Sequence, residues 1–305
     1  MRVLFRFDAS EALASKAAAL SGDGTEILTA PESDDAAYDR LLPGIDVLWH
    51  VLRPVNEDQI NRASSLKLIQ KIGSGLNTID VEAAKRRGIA VCNLPGTNSR
   101  AVAEMALLLM LACLRRLSQL NSYVRTENGW QEAWQLQDHF GELGGRTVGL
   151  VGYGEVPKIL KPILEAMGAT VLYWSRSQRN SEFKTLVATS DIVSLHLPLT
   201  SQTEKIIDAR AMKAGAILVN TARGGLVDEE CLIQSLKTGH LAAAGLDVFP
   251  REPPPADHAL LKLPNVVCAP HLAWLTQETL ERSLGAALEN VKRLEAGRPL
   301  LNRIV

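Results

Sequence analysis

The chain has 305 residues, of which 46% are hydrophobic, with 33 basic and 34 acidic side chains. This composition is typical of a globular protein with one large domain or two ordinary ones. The near-neutral balance of charge argues against nucleic acid or an anionic membrane surface as a partner.

The first third of the chain alternates strand-like and helix-like segments. Its first eight residues alternate apolar and charged side chains, which predicts a strand and not a signal peptide. The predicted strands are Val3–Phe7, Asp46–Leu52, Leu66–Ile72 and Ala90–Asn93. The predicted helices are Glu11–Leu20, Glu57–Arg62 and Val81–Arg87. Alternation of this kind predicts βαβ units around a parallel sheet.

A second block of the same character follows Pro95-Gly96. It opens with a helix near Ser99–Leu117, whose apolar stretch Ala101–Leu114 is too short to span a bilayer and carries Glu104. It continues through a polar segment with two tryptophans at Thr126–Glu142. The predicted strands are Thr147–Val151, Thr170–Trp174, Ile192–Leu197, Ala216–Thr221, Ala242–Asp247 and Val266–Ala269. The predicted helices are Pro157–Met167 and Glu229–Thr238. Six strands suffice for a second doubly wound sheet.

A long helix at Thr276–Ala296 ends the pattern, and its length suits a crossing from the second block back to the first. The sequence therefore predicts an α/β fold with two doubly wound parallel-sheet domains and a cleft between them. We expect one domain to contain residues 1–95 and 280–305, and the other to contain residues 96–279.

The four cysteines lie far apart in apolar runs. They are Cys92, Cys113, Cys231 and Cys268. This arrangement favours buried free thiols in a reducing, cytoplasmic compartment over disulfides.

A glycine-rich turn follows the strand Thr147–Val151. Gly152 and Gly154 let the backbone turn tightly and approach a pyrophosphate, and the next helix offers its free N–H groups and positive dipole end. The dinucleotide fingerprint requires a third glycine, and Pro157 takes that position. Proline is tolerated in a first helical turn, so we expect a slightly displaced helix and a retained cofactor site.

The end of the next strand bears on the choice of cofactor. An acidic residue there would bind the ribose 2′-hydroxyl of NAD, but the sequence reads Ser175-Arg176-Ser177. Serine hydroxyls can donate hydrogen bonds, and Arg176, with Arg179 nearby, supplies the positive charge that suits a 2′-phosphate. The loop favours NADP(H) over NAD(H); the alternative is a solvated basic loop.

Three chemically capable side chains follow later strands of the second block. Arg223 precedes a glycine pair after one strand, Glu252 lies in the loop beyond another, and His271 ends a third. A lone histidine is more often structural than catalytic. Because open α/β sheets bind ligands at the carboxyl ends of their strands, an arginine, a glutamate and a histidine at that edge indicate catalysis.

These stretches resemble the D-isomer-specific 2-hydroxyacid dehydrogenase family over nearly the whole chain. The most specific motifs are Leu195–Thr200, Val219–Asp228, Gly245–Phe249 with Glu252, and Pro270-His271. Ile72–Asn77 and the run from Pro95 to Glu104 also match. The resemblance implies a flavodoxin-like substrate domain, a Rossmann cofactor domain and an enzyme that transfers hydride between NAD(P)(H) and a small 2-oxo acid such as glyoxylate or hydroxypyruvate.

The resemblance also implies roles for individual residues. Arg223 would bind the substrate carboxylate and carbonyl, His271 would protonate the carbonyl oxygen, and Glu252 would orient the imidazole. Backbone N–H groups of Ser74 and Gly75 would bind the substrate carboxylate. The implied cofactor-binding residues are Gly152, Tyr153, Gly154, Glu155, Val156, Ser175, Arg176, Ser177, Leu197, Pro198, Thr221, Ala222, Arg223, Asp247, His271 and Ala273. No metal is implied, and no metal-ligand spacing is present.

Several alternatives stay open at this point. A non-catalytic NAD(P)-sensing protein of the same fold is favoured only by Pro157, and an oxidoreductase acting on phosphite or formate is selected by no feature. Trp274 could cover the active site or simply pack, and Arg53 could reach substrate, although a solvated loop arginine is the simpler interpretation. The helix Ala101–Leu114 and the segment with Trp130 and Trp134 resemble the family's dimer arm, which predicts a homodimer.

Overall fold

The computed structural model describes every residue from Met1 to Val305 and divides the chain into two units. The first unit contains residues 1–98 and 276–305, and the second contains residues 99–275. The divisions thus lie three residues after and four residues before the boundaries expected at 95/96 and 279/280.

All strands pair in parallel within one of two sheets. The strands are β1 (Arg2–Arg6), β2 (Glu26–Ala30), β3 (Val47–His50), β4 (Leu68–Lys71), β5 (Ala90–Cys92), β6 (Thr147–Val151), β7 (Thr170–Trp174), β8 (Ile192–Leu195), β9 (Ala216–Asn220), β10 (Leu241–Leu246) and β11 (Val266–Cys268). The α-helices are α1 (Glu11–Ala18), α2 (Asp35–Leu41), α3 (Glu57–Arg62), α4 (Val81–Arg86), α5 (Ser99–Leu114), α6 (Leu117–Tyr123), α7 (Gly129–Trp134), α8 (Glu155–Ala166), α9 (Phe183–Thr189), α10 (Glu229–Lys237) and α11 (Gln277–Glu295).

The sheet of the first unit has the order β2-β1-β3-β4-β5, the order of flavodoxin-like folds. The prediction of four strands was incomplete, because β2 and α2 were missed. The strand β2 pairs only with β1 at the sheet edge, and its residues Glu26 and Thr29 interrupt the apolar pattern. Only Asp34, whose side chain accepts the N–H of Ala37, marks the start of α2 in the sequence.

The long helix α11 belongs wholly to the first unit, so the expectation that it crosses between the blocks was wrong. Its buried Asn290 donates a hydrogen bond of 2.7 Å to Gln70 of β4 and a second bond to the carbonyl of Leu301. The first bond joins the helix to the sheet, and the second joins it to the C-terminal segment.

The sheet of the second unit has the order β11-β10-β9-β8-β6-β7. Apolar side chains cover both of its faces, and α5 and α8 pack together on one of them. Helix α8 begins at Glu155, two residues before the predicted start, because Gly154 is already the N-cap. Three short helices, α6, α7 and α9, were not predicted. None of the helices has both the length and the apolar composition needed to cross a bilayer.

The four cysteines are free thiols, as expected, but they are not all buried. Cys92 and Cys113 are buried, whereas Cys231 is half-buried and Cys268 is exposed. The expectation of burial was therefore wrong for Cys268, which is the last residue of the edge strand β11.

Candidate active site

The ends of five strands form one row at the carboxyl edge of the second sheet. Val151, Leu195, Asn220, Leu246 and Cys268 are paired in register across it. Whatever follows each of these residues therefore emerges at the same edge, where open α/β sheets bind ligands. The sequence-predicted site residues of this unit follow these strand ends, except Ser175, Arg176 and Ser177, which follow the neighbouring strand β7.

His271 and Glu252 meet in a short hydrogen bond. The Nδ1 atom of His271 lies 2.6 Å from Oε2 of Glu252, and Oε1 of Glu252 accepts the N–H of Phe249 at 2.9 Å. Burial would raise the pKa of Glu252, but the hydrogen bond and charge of His271 outweigh it and hold the pKa below its usual value. The carboxylate is thus ionised and orients the ring, which leaves Nε2 of His271 for another partner.

A second loop, after β9, presents Arg223. The side chain of Asn220 braces this loop by accepting the N–H of Ala222 at 3.0 Å and donating to the carbonyl of Arg223 at 2.8 Å. Burial lowers the pKa of Arg223, and the charge of Glu252 opposes that shift, so the guanidinium stays protonated. An arginine beside an imidazole–carboxylate pair can bind an oxyanion while the imidazole exchanges a proton.

Asp247 fixes the backbone on which His271 sits. Its two carboxylate oxygens each accept one N–H, from Leu272 and Ala273, both at 2.9 Å. His271 has a φ of +58°, in the left-handed region that residues other than glycine seldom adopt. Asp247 therefore holds the backbone of the loop that contains His271, and the N–H of Ala273, a residue expected to bind the cofactor, is already engaged.

The glycine turn fits the pyrophosphate of a dinucleotide. Gly152 has a φ of +100°, and a Cβ there would lie 2.4 Å from the carbonyl oxygen of His196, whereas a Cβ on Gly154 would meet only open space. The N-terminus of α8 has no side-chain cap, so its first N–H groups are available. Thr221 has a buried hydroxyl without a hydrogen-bond partner at the same edge.

Other predicted cofactor residues lie around this turn. Tyr153 stacks on Tyr173 of β7 with ring centroids 3.9 Å apart, and Glu155 pairs with Lys158 at 3.0 Å. Pro157 is buried on the inner face of α8. Val156 lies in the first turn of α8, and Leu197, Pro198 and Ala222 lie in the loops after β8 and β9.

The loop after β7 is a tight turn in which Ser175 is already occupied. Its hydroxyl donates to the carbonyl of Gln178 at 2.8 Å and accepts the N–H of the same residue at 2.9 Å. Arg179 pairs with Glu182 at 3.2 Å. Arg176 and Ser177 are exposed. Of the residues expected to select the cofactor, these two are exposed and form no side-chain ion pair, whereas the exposed Arg179 is paired.

The predicted residues of the first unit lie in loops after β3 and β4. The loop at Ser74 and Gly75 is fixed by Asn93, which donates to the carbonyl of Ser74 at 2.9 Å. Arg53 donates to the carbonyl of Glu32 and to Asp35, both at 2.5 Å, so it is not a freely solvated arginine.

Sequence reasoning missed the residues that support this site. Asn220 and Phe249 act through the loop backbone. The only sequence signal for Asn220 is a polar residue at the end of a buried strand. Trp274 is buried, with 8% of its surface exposed, which favours packing as its role.

The comparisons with known proteins agree with this geometry. Residues 107–273 match the family model described as D-isomer specific 2-hydroxyacid dehydrogenase, NAD binding domain. The chain is 37% identical over 283 residues to a glyoxylate reductase of Korarchaeum cryptofilum (strain OPF8), covering 88% of this chain and 85% of that protein.

Two further similarities extend the comparison. A hydroxypyruvate reductase of Thermotoga maritima is 39% identical over 258 residues, covering 80% of this chain and 82% of that protein. A crystal structure of a protein from Thermus thermophilus superposes with a TM-score of 0.88 at 34% identity and covers the whole of both chains.

Proposed function

Because the chain belongs to the D-isomer-specific 2-hydroxyacid dehydrogenase family, and is therefore an oxidoreductase, we propose that it reduces small 2-oxo acids to D-2-hydroxy acids. Glyoxylate and hydroxypyruvate are the proposed substrates, since similar proteins are named as reductases of these acids. The observation that carries the proposal is the 2.6 Å bond between His271 and Glu252 at the edge where Arg223 emerges.

Each side chain has one task in the proposed reaction. Arg223 binds the carboxylate and carbonyl of the 2-oxo acid by charge-assisted hydrogen bonds. Nε2 of His271 donates the proton that the carbonyl oxygen takes up, and Glu252 stabilises the imidazolium. The nicotinamide, when bound, supplies the hydride.

We further propose that NADP(H) is preferred over NAD(H). Arg176 and Ser177 are exposed at the end of β7, where NAD-specific sites have an acid that would repel a 2′-phosphate. The uncapped start of α8 and the open space at Gly154 support pyrophosphate binding there.

A homodimer is part of the proposal. Its support is the cluster of exposed apolar side chains on α5 to α7, in which Trp130 and Trp134 are 68% and 67% exposed. The free cysteines support a reducing, cytoplasmic compartment.

The test is a panel of 2-oxo acids assayed with NADPH and with NADH. We expect turnover of glyoxylate or hydroxypyruvate with a higher kcat/KM for NADPH. Arg176→Ala should raise the KM for NADPH roughly 10- to 100-fold, the value of one charge-assisted hydrogen bond, and leave that for NADH unchanged. If no 2-oxo acid is turned over with either cofactor, the proposed reaction is wrong. If Arg176→Ala raises the KM for NADPH and for NADH equally, the proposed preference for NADP(H) is wrong.

His271→Gln separates catalysis from cofactor sensing. We expect kcat to fall about 100-fold or more while the Kd for NADPH stays unchanged, because the imidazole acts on substrate. Unchanged turnover in this variant contradicts the assignment of the proton donor.

A further inference from the structure

The loop that carries Glu252 is held at its far end by a second histidine. This loop runs from Phe249 to His258, and Glu252 is followed by three consecutive prolines. Prolines have no N–H, so the loop backbone has few donors with which to anchor itself. What holds its two ends therefore determines where Glu252 lies.

The ring of His258 has a defined tautomer. Its Nδ1 accepts the N–H of Leu260 at 3.3 Å, and a backbone N–H can only donate. The proton must then be on Nε2, which lies 3.2 Å from Oε1 of Glu229 at the start of α10. The ring and the carboxylate are thus in contact without a hydrogen bond between them, and the bond from Leu260 is what fixes the orientation of the ring.

The ring of His258 reaches the active site through Phe249. The two rings meet edge to face, with centroids 6.0 Å apart and planes at 79°. The N–H of Phe249 donates to Oε1 of Glu252, whose other oxygen bonds His271. One residue therefore connects the His258 ring to the carboxylate that orients the catalytic imidazole.

Phe249 is part of the packed core of the second unit, with 7% of its surface exposed. A small cavity lies beside it, lined in part by Asn220, Glu229 and Leu260. On its other side the backbone touches Gly224, where an added Cβ would lie 2.1 Å from the carbonyl carbon of Phe249. A shift of Phe249 would therefore disturb both Glu252 and the loop of Arg223.

We infer that His258 is a positioning residue for Glu252, acting through Phe249, with the N–H of Leu260 fixing its ring. The inference rests on the proposed function for its kinetic consequences, but the hydrogen bond between Glu252 and His271 can be observed without substrate.

The experiment compares His258→Ala with a matched control. His240→Ala removes another partly buried histidine of the same unit, whose Nε2 lies 3.1 Å from the carbonyl oxygen of Met212, away from the site. We expect His258→Ala to lower kcat roughly 10- to 100-fold, the usual effect of a small misplacement, with the Kd for NADPH unchanged. The acid limb of the pH profile of kcat/KM should also move in His258→Ala. In His240→Ala both kcat and this pH profile should stay unchanged.

A proton NMR spectrum supplies the readout that needs no turnover. The Nδ1 proton of His271 in its short bond to Glu252 should resonate far downfield, and its loss in His271→Gln assigns it. We expect this resonance to shift or vanish in His258→Ala and to persist in His240→Ala. If His258→Ala does not fold, His258→Gln takes its place, because it lacks the ring that contacts Phe249.

The outcomes are distinct. An unchanged resonance together with unchanged kcat overturns the positioning role. If the wild-type protein turns over no 2-oxo acid, the proposed function fails, and the resonance alone decides whether His258 positions Glu252.

Discussion

His196 is a histidine at the ligand edge that the proposed reaction does not use. It directly follows β8, and its Nε2 lies 3.0 Å from the hydroxyl of Ser194. Burial lowers its pKa from 6.5 to about 4, so the ring is neutral at physiological pH. A neutral ring beside the glycine turn at Gly152 adds no charge to the cofactor site.

This shift makes the stability of the protein depend on pH. Between pH 6.5 and about 4 the unfolded chain protonates His196 and the folded chain does not, so the free energy of unfolding falls as the pH falls. Relative to wild type, His196→Gln should gain about 2 to 3 kcal/mol on acidification across this window. Urea unfolding at a series of pH values measures this difference in the free energy of unfolding. If that free energy changes with pH in the same way in both proteins, the prediction is contradicted.

The sequence could predict the site because open α/β sheets bind ligands at the carboxyl ends of their strands. Arg223, Glu252 and His271 follow strands that are recognisable from apolar runs, so their common edge is predictable. Two other contacts could not be predicted: Ser175 bonds to Gln178, and Asn220 bonds to the loop of Arg223. Both depend on the dihedral angles of loops, which the periodicity of the sequence does not indicate.

Helix α8 contains two prolines that affect its backbone hydrogen bonds differently. Pro157 is the third helical residue, where an N–H has no intrahelical acceptor, and with Leu160 and Leu164 it forms the buried stripe of the helix. Pro162 is exposed in the helix interior, where it removes the hydrogen bond to the carbonyl of Lys158.

The two positions therefore form a matched pair. Pro162→Ala should raise the free energy of unfolding by about 1 to 3 kcal/mol and leave the Kd for NADPH unchanged. Pro157→Gly should instead tighten NADPH binding roughly three- to tenfold, because it restores an N–H near the pyrophosphate turn. Urea unfolding and fluorescence titration measure the two effects. An unchanged Kd in Pro157→Gly would mean that proline at this position does not limit affinity.

Elements that the sequence did not reveal are short or lie at edges. Strand β2 is paired on one side only, and α7 has six residues with two exposed tryptophans, so neither has a buried face with a clear period. The buried strand β6, which is paired on both sides, and the long helix α11 have such a face and were predicted within two residues of their ends.

At the scale of the whole molecule, the exposed apolar surface of the second unit is concentrated between Leu108 and Phe140. The exposed side chains are Leu108, Leu117, Val124, Trp130, Trp134 and Phe140. Monomeric proteins seldom expose so many large apolar groups within one segment, whereas subunit interfaces are rich in aromatic residues.

The double variant Trp130→Ser with Trp134→Ser should therefore shift the protein from dimer to monomer. Two aromatic anchors of an interface are commonly worth at least about 2 kcal/mol each, or some thousandfold in dimer Kd together. Sedimentation velocity measures the change. Leu261→Ser, at a residue 41% exposed outside the segment, is the control and should remain dimeric. A monomeric wild-type protein would contradict the proposal.

The division of the first unit into two chain segments sets the order in which a ribosome can complete the fold. Residues 99–275 form one continuous unit. In the first unit, the hydrogen bond of Gln70 cannot form until Asn290, 220 positions further along the chain, has been synthesised. At cellular rates of synthesis that delay is roughly 10 to 40 s. During this time the nascent β4 lacks the helix that covers it, so the segment translated first is among the last to become protected from proteases and chaperones.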